Sequence, residues 1–273
     1  QARTPKQQTL LHYEVRFDKE PIVKLALAAG ADVNAEDDSK ETVVNLCTKF
    51  DLNEPLLKLL LDAGANIDHK NDRDRTPFQS AIRSEKLNKA QTLLKLGAAV
   101  DADVQIGEKT PLFVAIEDGQ TEIVEMLLTN GADINHTIFD SKTGALYFAA
   151  RYGSLESIQL LLAAGMNPNA GNANDWKPIN NINFRDNEKI EAVKLLVAAG
   201  ADINQRGAGG ATLLYGAIRS QDTVFAKQLI EAGSDFEMET SFGETHYDKA
   251  QKAGLTELVE FMDQKRSESP AAQ

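Results

Sequence analysis

Chemistry that needs a ligand cluster, or a nucleophile beside its base, finds little to use in this sequence. The four histidines, His12, His69, His136 and His246, and the one cysteine, Cys47, are scattered through 273 residues without metal-ligand spacing. Neither a zinc site nor an internal disulfide is expected from them. Cys47 reads as a small buried core residue. Gly207, Gly209 and Gly210 lack the following lysine and preceding strand of a phosphate loop, and nucleophile-elbow and HExxH patterns are absent. Carboxylates are plentiful, with a formal net charge of −12, but they are spread evenly. We expect no catalytic residue, no cofactor and no metal.

What does recur is a cation. Arg16, Lys49, Arg83, Arg151, Arg219 and Lys252 return at nearly constant spacing, with Glu117 and Phe184 filling the same place between them and Arg185 one position after Phe184. Phe17, Phe50 and Tyr152 stand beside three of these cations, and arginine next to exposed aromatics is the composition of interface hot spots. A local explanation competes with this. Cations in the last turn of a short helix meet the negative end of its dipole and gain about 0.3–1 kcal/mol each. Trp176, the only tryptophan, and Ile138, Phe139 and Phe242 fall in connecting turns where polar residues would suffice. The expected partner-binding set is therefore Trp176, Arg16, Phe17, Lys49, Phe50, Arg83, Phe139, Arg151, Tyr152, Phe184, Arg185, Arg219 and Phe242. The charged turns 36–41 and 71–75 read as solvated tips that steer a partner's approach.

These side chains need elements to hold them, and one segment shows which. Thr110 to Asn135 reads TPLFVAIEDGQTEIVEMLLTNGADIN. Thr110 can cap a helix, Pro111 suits its first turn, and Gly131 can take the left-handed conformation that ends a second helix. Helices of about ten residues do not stand alone in water, so the pair needs neighbours. The closing glycine recurs as Gly30, Gly64, Gly97, Gly131, Gly165, Gly200 and Gly233, at intervals of 34, 33, 34, 34, 35 and 33. The openings recur too, as Thr9-Leu-Leu-His12, Thr42-Val-Val-Asn45, Thr76-Pro-Phe-Gln79, Gly144-Ala-Leu-Tyr147, Lys177-Pro-Ile-Asn180, Thr212-Leu-Leu-Tyr215 and Thr245-His-Tyr-Asp248.

A period near 33 with this opening resembles the ankyrin repeat family, over nearly the whole chain. The resemblance implies an all-α ankyrin-repeat solenoid of about eight helix-turn-helix units with projecting β-turn fingers. We place the units near 5–35, 38–68, 72–101, 106–135, 140–169, 173–204, 208–237 and 241–264, in one domain over 1–265, with a disordered tail at 265–273. It also implies that His12 bonds turn backbone, and that fingers and first helices line the face that meets partners.

Three places depart from the repeat. Gly144 replaces the opening threonine, and Thr143 is expected to supply the cap from one position earlier. The sixth unit carries Asn180, Asn181 and Asn183 where alanines pack elsewhere, and asparagine competes for backbone hydrogen bonds in a helix. Rules broken inside a regular array mark function, so this unit is the first place to look. At the ends, Tyr13, Glu14 and Arg16 on one side, and Asp248, Lys249, Gln251 and Lys252 on the other, are expected to face water.

The acidic balance argues against nonspecific nucleic-acid or anionic-membrane binding, and no stretch of eighteen apolar residues exists to insert in a bilayer. We expect a monomeric, nonenzymatic module that binds a folded protein partner. Its concrete form is an inhibitor or protective, immunity-type protein covering a partner enzyme. The alternatives are a scaffold or effector holding an acidic peptide or domain and, remotely, a small-ligand binder or cryptic enzyme. The chain starts at Gln1 without a methionine, which fits loss of an export signal. A bacterial, periplasmic or otherwise exported protein is the corresponding expectation.

Overall fold

Threonine opens the first helix of a repeat by closing a ring of hydrogen bonds around its free N–H groups. The computed structural model describes residues 4–50, 53–102, 108–138, 142–183, 186–207, 210–241 and 243–268. In it Thr9, Thr76 and Thr245 take extended backbone and form reciprocal capping boxes with His12, Gln79 and Asp248. Thr76 Oγ1 accepts from the Gln79 N–H at 3.2 Å while Gln79 Oε1 accepts from the Thr76 N–H at 2.9 Å. Each cap contributes about 1 kcal/mol to a helix too short to form alone.

The first helices are α1 (Leu10–Arg16), α3 (Val43–Lys49), α5 (Pro77–Arg83), α7 (Pro111–Glu117), α9 (Ala145–Tyr152), α12 (Leu213–Arg219) and α14 (His246–Lys252). The second helices are α2 (Glu20–Ala28), α4 (Glu54–Asp62), α6 (Leu87–Lys95), α8 (Thr121–Thr129), α10 (Leu155–Ala163), α11 (Asp186–Ala198), α13 (Thr223–Glu231) and α15 (Thr256–Glu268). Left-handed glycines end the second helices. At Gly97 (φ +98°) the Gly97 N–H donates to the Leu94 carbonyl at 3.0 Å and the Ala98 N–H to the Leu93 carbonyl at 2.9 Å.

The chain divides into two compact units, one of 1–105, 109–115 and 122–133, the other of 106–108, 116–121 and 134–273. In the first unit α1, α3 and α5 pack in one row, each beside its own second helix. Leu11, Val15, Leu56, Leu60, Phe78, Ile82 and Leu93 fill the interior between the rows. In the second unit α12 packs on α14, and α10, α11, α13 and α15 form the other row. Ile158, Leu161, Val193, Leu196, Ile218, Leu229 and Met262 lie between. Burying each such side chain contributes about 1.5–3 kcal/mol, which is what holds seven- and nine-residue helices in place.

The fingers are tied to one another by a rung of polar atoms at a fixed repeat position. Asn34 Oδ1 accepts from the Asn66 N–H (2.8 Å), Asp68 from Ala99 (3.2 Å), Asp101 from Asp133 (2.7 Å) and Asn204 from Asp235 (2.8 Å). Asn34 and Asn169 also donate to the Gly64 and Gly200 carbonyls, at 2.9 and 2.8 Å. Histidine reinforces the rung. His12 Nε2 donates to the Glu41 carbonyl at 3.0 Å, His69 to Lys40 at 3.1 Å and His136 to Glu108 at 2.8 Å.

Several expectations need correction. The sixth unit opens on a four-residue 3-10 turn, Pro178–Asn181, in place of an α-helix, and its asparagines bond outward: Asn180 Nδ2 donates to the Gln205 carbonyl at 2.9 Å and the Asn183 N–H to the Ala150 carbonyl at 3.1 Å. Gly144, not Thr143, caps α9, because Thr143 is spent on a short antiparallel hairpin with Ile138. Ile138 is fully buried there, folded back on its own unit. Lys265–Glu268 is helical, not loose: Arg266 stacks 4.2 Å from the Tyr247 ring centre and its Nε donates to Glu237 at 2.8 Å, which carries α15 through Glu268. At the other end Tyr13 and Arg16 do face water, and Leu10 (58% exposed), Leu25 (70%) and half-exposed Phe17 add apolar surface to that flank. The Cys47 side chain and residues 269–273 lie outside the described part of the structure.

Candidate functional site: two cationic hollows and an aromatic groove

The repeating cation sits in the last turn of every first helix but α7, which ends on Glu117, and lies seven places after the cap. Facing it, one place before the cap, is a residue of the finger stem. In the second repeat these are Lys49 and Glu41, whose charges meet at 2.6 Å with the Glu41 side chain only 7% exposed. In the last repeat they are Lys252 and Glu244, at 2.7 Å. The lysine's hydrogen bond holds the Glu244 carboxyl below its usual range. In the third repeat both places hold arginine, Arg75 and Arg83.

Two hollows in the first unit are lined by this pairing. One, of about 270 Å3, has Arg16, Phe50, Lys6, Asp37, Glu41 and Lys49 in its wall, with the Arg16 guanidinium 5.0 Å from the Phe50 ring centre and 5.8 Å from that of Phe17. The other, of about 330 Å3, has Arg73, Arg75, Arg83, Lys49 and Lys86 against Glu41 and Asp72. Lys86 Nζ reaches across to donate to the Thr48 carbonyl at 2.7 Å and the Lys49 carbonyl at 3.3 Å, so the free carbonyls of α3 are met by the following repeat. Burial and the charges of Arg83 and Arg73 push the Arg75 guanidinium below its ordinary pKa.

In the second unit Arg151 is held in place. Its Nη1 donates to Asn181 Oδ1 at 3.2 Å and its Nε to the Tyr152 hydroxyl at 3.0 Å, with the Tyr152 ring half-exposed. Burial raises the pKa of Tyr147 on the same helix. Beyond it, the 3-10 turn leaves room for a groove of about 560 Å3 lined by Trp176, Ile182, Lys189, Tyr215, Arg219 and Phe225 among others. Lys189 pairs with Asp222 at 3.3 Å and lies 5.5 Å from the Phe225 ring centre. The Arg219 side chain is exposed and, among the described residues, makes no hydrogen bond or ion pair. Trp176 is half-buried, its ring packed close against Gly207, so it is a wall of the groove and not a free fingertip.

Arg16, Lys49 and Phe50 thus line one hollow of the first unit and Lys49 and Arg83 the other, while Trp176 and Arg219 share the groove of the second unit. Phe17 is exposed beside Arg16. Phe139, Phe184, Arg185 and Phe242 lie outside the described residues. Sequence reasoning passed over Lys86, Lys189, Tyr215 and Phe225, and read Arg73 and Arg75 only as part of a solvated, steering turn. The position before each cap was the available signal, since Glu41, Arg75, Trp176 and Ala211 all occupy it and all line a hollow. Among the described residues no group of three His, Cys, Asp or Glu could hold a metal, and no helix is long and apolar enough to cross a membrane.

The model of the family described as "Ankyrin repeats (3 copies)" matches at residues 11–106, 46–138 and 98–172, together more than half of the chain. The chain belongs to the ankyrin repeat family. Solved ankyrin structures share its fold. The human ASB11 ankyrin repeat domain aligns over 84% of this chain and 99% of its own, with TM-score 0.64 and 23% identity. The ankyrin repeat domain of Bcl-3, described as a unique member of the IkappaB protein family, aligns over 71% of this chain and 85% of its own, with TM-score 0.62 and 27% identity. No curated protein matches the chain in sequence. Ankyrin repeats are protein–protein interaction modules and typically serve without catalysis.

Proposed function

We propose that this ankyrin chain binds a folded protein through the first helices and finger stems of its repeats, with the groove at Trp176, Tyr215, Arg219 and Phe225 as its principal contact. The observation that carries this reading is Arg219, an exposed guanidinium without a partner among the described residues, set in a groove walled by three aromatic rings. A helix-capping cation would be bonded to carbonyls, and an isolated surface charge would not sit among aromatics. Arginine between aromatic anchors is where interfaces concentrate their binding energy. In its concrete form the surface covers the rim of a partner enzyme's active site and inhibits it.

The test is recovery of the partner from the native source with the wild type, followed by binding and enzyme assays with Arg219→Glu. Arg219 is exposed and unbonded, so its reversal leaves the melting temperature within about 2 °C while weakening the complex at least tenfold, about 1.4 kcal/mol. Undiminished affinity at low salt assigns Arg219 to solubility, and a bound enzyme that keeps full activity sinks the inhibitor form.

A further inference from the structure

We propose that the hollow at the third repeat is a binding site for a phosphoryl dianion. In the second and last repeats the residue before the cap and the cation of the last helical turn neutralise each other, as Glu41 with Lys49 and Glu244 with Lys252. The third repeat places Arg75 and Arg83 at those two positions and adds Arg73 from the same finger. Among the described residues none of the three makes a side-chain hydrogen bond or ion pair. Two like charges held face to face, one of them half-buried, raise the energy of the free protein, and an anion between them removes that repulsion.

The other charges around the hollow are already committed or few. Lys49 is matched by Glu41, Lys86 is bonded to the α3 carbonyls, and Asp72 is the one remaining carboxylate in the wall. The Ser80 and Ser84 hydroxyls line the same space without a hydrogen bond among the described residues and can donate to an anion. Three planar forks offer more N–H groups than one carboxylate can accept, whereas a phosphoryl group presents three oxygens and nearly two charges. At about 330 Å3 the hollow admits a phosphate with its attached chain but no large ligand. This goes beyond the protein-binding reading, because the site fills whether or not a protein partner is present.

The test is an NMR titration of the arginine Nε–Hε signals of the full chain with inorganic phosphate, against chloride at matched ionic strength. Saturable shifts confined to Arg73, Arg75 and Arg83, with a dissociation constant on the order of 1 mM, are expected. Arg75→Gln and Arg83→Gln should each weaken the binding about tenfold or more while the remaining arginine signals keep their positions. A phosphothreonine peptide binding more tightly than phosphate identifies a phosphorylated segment as the source, and equal binding identifies free phosphate. Shifts that stay linear, that chloride reproduces, or that a glutamate peptide matches at equal concentration overturn the proposal.

Discussion

An alanine in place of Gly207 puts a methyl group into the Trp176 ring, at 2.7 Å from Cζ3 and 2.8 Å from Cε3. Real carbon contacts do not come so close, and the backbone of Gly207 is fixed on both sides, donating to the Ala211 carbonyl and accepting from the Gly210 N–H, each at 2.9 Å. The ring must therefore move. A tryptophan buries about 150–250 Å2, so a half-buried one swung fully out loses about 100 Å2, or about 2.5 kcal/mol at 25 cal/mol per Å2. A partial swing is enough to clear one methyl, so we expect Gly207→Ala to cost about 1–2 kcal/mol and to lower the melting temperature by about 2–8 °C. Because Trp176 is the only tryptophan, its emission reports the displacement directly and should shift to the red. In a Trp176→Ala background the three atoms nearest the added methyl are gone, and the same change should be nearly neutral, giving a coupling energy of about the full single-mutant cost. Unchanged emission and melting in Gly207→Ala, or additive effects in the double variant, would refute the packing of this ring on the next finger and the groove wall it forms.

His246 is 1% exposed and its Nε2 is hydrogen-bonded, at 2.6 Å, to Thr212 Oγ1, which also accepts from the Tyr215 N–H. Burial, against the opposing pull of Asp235, pushes its pKa below the ordinary histidine value. The unfolded chain therefore binds this proton first, so stability is fully present above the unfolded value and is lost as pH falls from there through the lowered folded value. Melting curves from pH 7.5 to 5 should show a steeper loss for the wild type than for His246→Gln. Asp68 occupies the rung position that Asn34 and Asn204 hold elsewhere, and burial raises its carboxyl pKa despite the Ala99 N–H it accepts. Its ionised form is disfavoured on folding, so its penalty appears as pH rises through the normal and then the raised value. Asp68→Asn should keep the rung and raise the melting temperature at pH 7 by a degree or so, since half-exposure leaves only a few tenths of a kcal/mol. The gain should vanish at pH 3, and a loss at both pH values would contradict the exchange.

The repeat was legible because each of its parts has a local cause. A threonine cap, a helix too short to stand alone and a left-handed glycine leave one way to bury the leucines, and their recurrence fixes the stacking order. His12 could be read for the same reason, as a side chain serving its own cap and the next finger's carbonyl. The cationic column was legible as spacing, but its meaning was not, because that depends on what faces it. Glu41 turns Lys49 into half of an ion pair, whereas Arg75 turns Arg83 into half of a repulsive pair, and only the fold sets the two columns opposite each other. Trp176 was legible as the one tryptophan in a turn, but not as a groove wall, because the glycine that receives its ring lies in the following finger. Asparagines mark the sixth unit as irregular, but a groove in place of a helix face emerges only when four residues of 3-10 turn stand where eight and seven of α-helix stand in its neighbours.

The claim that partners meet the first-helix layer is tested most directly by photo-crosslinking in the cells or fluid where the protein works. A benzoylphenylalanine replaces Phe50 or Ser220 on the hollow side, and Lys24 or Lys194 on the second-helix side. The account predicts one protein crosslinked from Phe50 or Ser220 and absent from Lys24 and Lys194. Crosslinks of equal yield from the second-helix positions, or from those alone, would contradict it.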